Sequence, residues 1–87
     1  MANLYLIHKK SSAEALALAQ EDKEALVVLL QDGVYLDVSS FNKAQVYAIK
    51  WDVDIRGLNQ RIPGTVKLIS YHDLVDLIVA NKVVNLT

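Results

Sequence analysis

The residues able to do acid–base or charge chemistry stand just past the ends of short apolar runs. His8 and Lys9 follow Leu4 to Ile7, Gln31 and Asp32 follow Ala25 to Leu30, Lys50 and Asp52 follow Val46 to Ile49, and Ser70 and His72 follow Val66 to Ile69. If those runs are parallel strands, their carboxyl ends share one edge, where loops converge and helix starts supply unpaired backbone donors. That placement makes His8, Asp32, Gly33, Lys50, Asp52 and His72 a candidate strand-end pocket. Within it, His8 oriented by Asp32 would be a proton shuttle. Each residue also has a plainer role. Asp followed by Gly is ordinary turn chemistry, with Gly33 relieving strain. A histidine ending a strand commonly sits at the surface, and His72 falls in a first helical turn beside Asp73, whose charge the helix dipole favours. An acid–base enzyme built on His8, Asp32 and His72 is therefore the weaker reading: no nucleophile, metal site or cofactor motif accompanies them.

The chain contains no cysteine. That excludes disulfides, thiolate metal sites and thiol nucleophiles together, and the two histidines cannot build a structural zinc site alone. Neither metal nor cofactor is expected. No glycine-rich phosphate loop follows the first run, where His8-Lys9-Lys10 stands instead. A formal charge of −1 without long like-charge runs gives no general case for direct nucleic-acid or acidic-membrane binding. No apolar stretch approaches the roughly 18 residues of a membrane span, and Met1-Ala2-Asn3-Leu4 lacks the character of a signal peptide, so the expected compartment is the cytoplasm.

A second set of residues suits contact with another protein. Trp51, Ile55 and Leu58 share one helical face, on which Trp51 either anchors an interface or closes the core. Arg56 and Arg61 flank Gly57 and suit an anion or a partner carboxylate. With Tyr35 they form the candidate interface Tyr35, Trp51, Arg56 and Arg61. Length adds to this expectation. Eighty-seven residues make one domain, 1–87, whose folded surface should be about 5,100 Å² against about 14,000 Å² unfolded, a marginal burial for a monomer. With 53% apolar residues on so small a body, an oligomer is expected.

The elements that must position these residues follow from apolar periodicity. Leu4 to Ile7 reads as a strand. Ser11 and Glu14 have capping-box spacing for a helix through Gln20, with Leu16 and Ala19 inward. Ala25 to Leu30 is a run without alternation, suited to a central strand covered on both faces, and Asp32-Gly33 ends it. A short helix is assigned between Val34 and Phe41, then a third strand at Val46 to Ile49. Trp51 to Leu58 is a short helix, with Arg56 at its negative end and Gly57 terminating it. After a loop at 59–65 come a fourth strand, Val66 to Ile69, and a helix capped by Ser70. Tyr71, Leu74, Val75 and Ile78 form its apolar stripe, with His72, Asp73 and Asp76 outside. Val83 to Leu86 adds an edge strand. The fold class is α/β: a three-layer α/β/α sandwich around a four- or five-stranded, mainly parallel sheet with right-handed crossovers.

Three segments together resemble the DsrH/TusB family of sulfur-relay proteins. They are Leu29-Leu30-Gln31-Asp32-Gly33-Val34-Tyr35, Val46-Tyr47-Ala48-Ile49 leading into Asp54-Ile55-Arg56-Gly57-Leu58, and Ile69-Ser70-Tyr71-His72-Asp73-Leu74-Val75-Asp76-Leu77. The resemblance spans nearly the whole chain. It implies a DsrE-like fold and a place beside cysteine-bearing sister subunits of the DsrE/DsrF or TusC/TusD type, which pass persulfide sulfur toward tRNA wobble-uridine 2-thiolation or through sulfur oxidation. The carrier cysteine of such sisters corresponds to the region Ile49 to Trp51 here, and a first-helix cysteine of some members to Ala13 to Ala19. Neither region holds a thiol. Since the thiolate itself accepts and donates sulfur, the resemblance implies a non-catalytic subunit. The alternative is a stand-alone homo-oligomeric module binding a small ligand or anion at the strand-end loops.

Overall fold

The computed structural model describes residues 2–9, 13–36, 38 and 45–84. In chain order its elements are β1 (Asn3–Ile7), α1 (Ala13–Glu21), β2 (Ala25–Leu29), a 3-10 segment (Gln31–Tyr35), β3 (Gln45–Ile49), α2 (Lys50–Ile55), β4 (Lys67–Ile69), α3 (Tyr71–Ala80) and β5 (Lys82–Val84). The strands form one sheet in the order β4-β3-β2-β1-β5, and every neighbouring pair is parallel. From β1 the chain steps across to β4, and α3 then carries it back to set β5 beside β1. Register pairs Ile7 with Leu29, Leu29 with Ala48, and Ile49 with Ile69. The strands therefore finish together, and the polar residues that follow them share one edge.

Period-two alternation divides the apolar residues between two faces. Tyr5, Ile7, Ala25, Val27, Leu29, Val46 and Ala48 pack with Ala19 of α1, Val53 of α2 and the loop residues Val34, Val38, Leu58 and Val66. Leu4, Val28, Ile49 and Ile69 pack with Leu74 of α3, supported by the partly buried Leu6, Leu26, Leu30, Tyr47 and Leu77. Two helices thus cover one face and a single helix the other, which gives the three expected layers. The accessible surface, 5356 Å², is close to the scaling value for this mass.

The strands lie where apolar periodicity put them, within a residue or two at each end. Ala19 is buried as expected, while Ser11, the side chain of Leu16, and Leu86 lie outside the described residues. The helix assigned between Val34 and Phe41 is replaced by the earlier 3-10 segment Gln31–Tyr35, because Asp32-Gly33 begins turning as soon as β2 ends. Of the assigned stretch, residues 37 and 39–41 lie outside the described residues. The inward stripe of α3 also differs. The helix rests on Leu74 and Leu77, whereas Tyr71, Val75 and Ile78 remain 42%, 55% and 38% exposed. A helix laid on a sheet buries only the line of residues nearest it. No second helix shares this face among the described residues to cover the rest of the apolar arc.

Helix ends follow local chemistry. Ser70 accepts from the Asp73 N–H (3.1 Å) and Asp73 in turn accepts from the Ser70 N–H (3.3 Å), a capping box. At the end of α2 the Gly57 N–H donates to the Asp54 carbonyl and the Leu58 N–H to the Val53 carbonyl, both at 3.1 Å. This Schellman arrangement needs the left-handed conformation that Gly57 adopts (φ 66°).

Candidate functional site: a carboxylate latch at the strand-end edge

Asp52, in the first turn of α2, is the buried charged residue among those described, at 3% exposure. Its carboxylate accepts hydrogen bonds from the backbone N–H of Gln31 (2.8 Å), the hydroxyl of Tyr71 (2.5 Å) and Nη1 of Arg56 (3.4 Å). The Arg56 guanidinium also donates to the Asp52 carbonyl through Nη1 (3.2 Å), and to Oδ1 of Asp32 through Nε (3.2 Å) and Nη2 (3.1 Å). One buried carboxylate thereby ties the start of α2, the 3-10 segment and the start of α3. Three donors, one of them the Arg56 cation, offset the desolvation that would otherwise disfavour a buried charge. The Tyr71 hydroxyl is pushed up to about 12, first by burial and then by its bond to the Asp52 carboxylate, since ionisation would set two anions in contact.

The local backbone is shaped to this latch. Gln31 takes a left-handed conformation (φ 52°), which costs about 1 kcal/mol in a non-glycine residue, and its N–H is the group bound by Asp52. Gly33 lies so close to the end of β1 that a Cβ there would sit 1.9 Å from the Ile7 carbonyl oxygen. Only glycine lets the 3-10 segment pass at that distance.

Of the six residues expected at a strand-end pocket, Asp32 and Asp52 are brought together through Arg56, with Gly33 beside them. His8 lies with its backbone against Gly33, and Lys50 and His72 follow the ends of β3 and β4. His8 is half-buried and His72 exposed, and neither hydrogen-bonds into this cluster among the described residues. Lys50 pairs with Asp54 at 2.7 Å on the outer side of α2. Asp54, which Asn59 also contacts, is held below the usual carboxylate range by Lys50 first and Asn59 second. Among the four expected interface residues, Arg56 is turned inward, while Trp51 is 64% and Tyr35 50% exposed. Tyr35 and Arg61 line a cavity of about 200 Å³ with Val34, Leu58, Ile62 and Pro63. A shallower one of about 330 Å³ lies along β4, between Tyr47, Lys67, Leu68 and the α3 residues Asp73, Asp76 and Leu77. Neither lies at the latch.

Two members of the latch escaped the sequence reading as such. Tyr71 reads as one more residue of an apolar stripe, and Arg56 as a cation suited to an anion or a partner's carboxylate rather than to carboxylates of its own chain. The available signal was the i, i+4 spacing of Asp52 and Arg56 together with the Ser70 cap, which sets Tyr71 in a first helical turn. Chemically, the cluster holds backbone in place. Both oxygens of the Asp52 carboxylate accept hydrogen bonds, and the Arg56 guanidinium is engaged on two carboxylates. No group of three or more His, Cys, Asp or Glu among the described residues is arranged to hold a metal, and no described helix is long and apolar enough to cross a membrane.

An all-parallel sheet between helix layers, its strand-end loops tied together through the buried Asp52 carboxylate, defines an α/β protein. The model of the DsrH like protein family matches residues 7–84, and the chain belongs to that family. It is also 35% identical over 60 residues to Protein TusB of Buchnera aphidicola subsp. Schizaphis graminum (strain Sg), a stretch covering 69% of this chain and 63% of that protein. The match thus spans less than two thirds of that relative's length. Family and fold class both agree with the resemblance carried by the three sequence segments.

Proposed function

We propose that this chain is a non-catalytic subunit of a sulfur-relay complex of the DsrEFH or TusBCD type. In this role it supports persulfide transfer by cysteine-bearing sister subunits toward tRNA wobble-uridine 2-thiolation or sulfur oxidation. The observation that carries the reading is the state of the strand-end edge. The region that corresponds to the sisters' carrier cysteine, Ile49 to Trp51, has no thiol, and the next residue, Asp52, is locked in the latch rather than presented to a substrate. Family membership supports a relay component, and the saturated edge supports a structural contribution to it.

Co-expression with the cysteine-bearing DsrE/DsrF-like or TusC/TusD-like subunits of the same cell tests this. The expected result is a stable complex on size exclusion, in which persulfide passes between sister cysteines at a rate that drops when this chain is omitted. Recovery of this chain without the sisters under gentle conditions, or sisters equally active without it, would overturn the proposal.

A further inference from the structure

The loop that follows α2 carries a cation that the latch does not use. Arg61 is exposed, and its side chain forms neither an ion pair nor a hydrogen bond among the described residues. It lines the cavity of about 200 Å³ noted above, whose other described lining residues are aliphatic or aromatic. Val34, Val38 and Leu58 are buried at its floor. Ile62 and Pro63 are partly buried beside them, and the half-exposed Tyr35 completes the rim with Arg61.

Backbone hydrogen bonds hold both sides of this cavity. The Arg61 and Ile62 N–H groups donate to the Leu58 carbonyl (2.9 and 3.2 Å), and the Leu36 N–H donates to the Gly33 carbonyl (3.1 Å). Arg56 joins the two sides, reaching from the end of α2 to Asp32 in the 3-10 segment (3.2 and 3.1 Å). A hollow held in this way needs little ordering when it is filled. Its size selects the occupant. Pockets for drug-sized ligands run to about 300–1,000 Å³, whereas a cavity of about 150 Å³ admits a single benzene ring. One aliphatic or aromatic side chain therefore fits here, and a nucleotide does not. Its charge selects what stands next to that side chain, because a lone guanidinium at the rim of an apolar hollow is complementary to a carboxylate. Tyrosine and arginine around a small apolar pocket is also the composition that anchors protein interfaces.

We infer that this cavity is the socket by which the chain holds a sister subunit: it receives one apolar side chain of the sister, and Arg61 pairs with an aspartate or glutamate adjacent to that side chain. The inference rests on the relay-subunit reading and names the surface which that reading needs. A bare oxyanion would meet Arg61 and leave the apolar floor uncovered, so the partner supplies both groups from one segment. Through its bonds to Asp32, Arg56 acts as a positioning residue that sets the two sides of the socket against each other.

Affinity of the full chain for the cysteine-bearing sister subunits of the same cell, read by isothermal titration calorimetry, tests the socket. Arg61→Gln should weaken binding about three- to tenfold and Arg61→Glu about thirtyfold or more. Ile62→Trp, which fills the cavity, should weaken it about tenfold or more. Lys67→Glu makes the same charge change on β4, away from the cavity, and should stay within about twofold of the wild type. Circular dichroism melts of each variant check that the fold is kept, and the exposed Arg61 can be exchanged without touching the core. A photocrosslinking phenylalanine analogue placed at Tyr35 should capture a sister segment in which an apolar residue stands beside an acid, and exchanging that acid for lysine should restore binding to Arg61→Glu. Sisters that bind the wild type and Arg61→Glu equally would overturn the socket and leave the relay-subunit reading standing. So would a crosslink to a second copy of this chain, or to a sister segment without an acid. A wild type that binds no sister would remove the relay-subunit reading, and the socket with it.

Discussion

At the scale of single residues, Asp52 holds more of the molecule together than any other charged group described here. Asp52→Ala leaves the Arg56 guanidinium, the Gln31 N–H and the Tyr71 hydroxyl without their shared acceptor in a largely dry site. It should cost about 2–4 kcal/mol in urea unfolding. Asp52→Asn keeps an acceptor for Gln31 but loses the charge facing Arg56, and should cost less. Titration gives two further expectations. Because the Tyr71 phenol is raised to about 12 in the folded chain and ionises near 10 when unfolded, the unfolded chain releases its proton first, so stability falls as pH rises through that window. Tyr71→Phe should flatten this alkaline fall, leaving the part due to Tyr5, whose phenol is raised by burial and then by Asp22. Asp22 acts with the opposite sign. It accepts from Asn3 (2.7 Å), the Glu24 N–H (2.9 Å) and Tyr5 (2.9 Å), which together lower its carboxyl, Asn3 most. Its contribution is present above about pH 4 and is lost as pH falls through the lowered value; Asp22→Asn should lessen the acid sensitivity of thermal melts. Asp32 and Asp52 were legible as strand-end groups because apolar runs give out just before them. Their shared partner was not, because nothing in a sequence fixes where an arginine's long side chain turns.

At the scale of elements, what was legible depended on how far each signal is local. Strand positions came from apolar runs and the start of α3 from Ser70 as its cap, so both were readable, while the return bond from Asp73 to the Ser70 N–H was not read. The inward face of α3 was not, because seven apolar residues spread around a ten-residue helix leave several lines on which it can rest, and tertiary packing selects Leu74 and Leu77. The two glycines that end elements separate local from non-local causes as well. Gly57 terminates α2 through its own backbone conformation, with open space around it. Gly57→Ala should therefore cost only about 1 kcal/mol, the penalty of a left-handed residue. Gly33 is required by a neighbour distant in sequence, the Ile7 carbonyl of β1. Gly33→Ala must displace the 3-10 segment from the sheet edge and carry the Gln31–Asp52 bond with it. It should cost about 2–3 kcal/mol and increase hydrogen exchange at the Gln31 amide, a local effect that Gly57→Ala should not produce. Gly33 reads in the sequence as ordinary turn chemistry, and only the packing of β1 reveals the tighter constraint.

At the scale of the whole molecule, the choice between a structural subunit and a stand-alone binding module can be decided by linkage. Any anion that binds the folded chain alone stabilises it by RT ln(1 + [L]/Kd), about 2.7 kcal/mol at a hundredfold excess over Kd. In a domain of this size each kcal/mol moves Tm by roughly 4–8 °C, so such a ligand would raise Tm by more than about 10 °C. The latch commits the Arg56 guanidinium, the cation of this edge best placed among the described residues to hold an anion, to Asp32 and Asp52. Sulfate, phosphate, thiosulfate and nucleotides at about 10 mM should accordingly move Tm by less than about 2 °C, the screening effect of salt apart. Protein concentration should behave differently. Where exposed apolar surface of this chain is covered by another subunit, association is itself the stabilising ligand, and Tm should climb steadily as subunit concentration rises. A large shift with any one of the anions would return the binding module to first place, whereas a concentration-dependent Tm that no anion changes would set both folding and function at the surface this chain shares with other subunits.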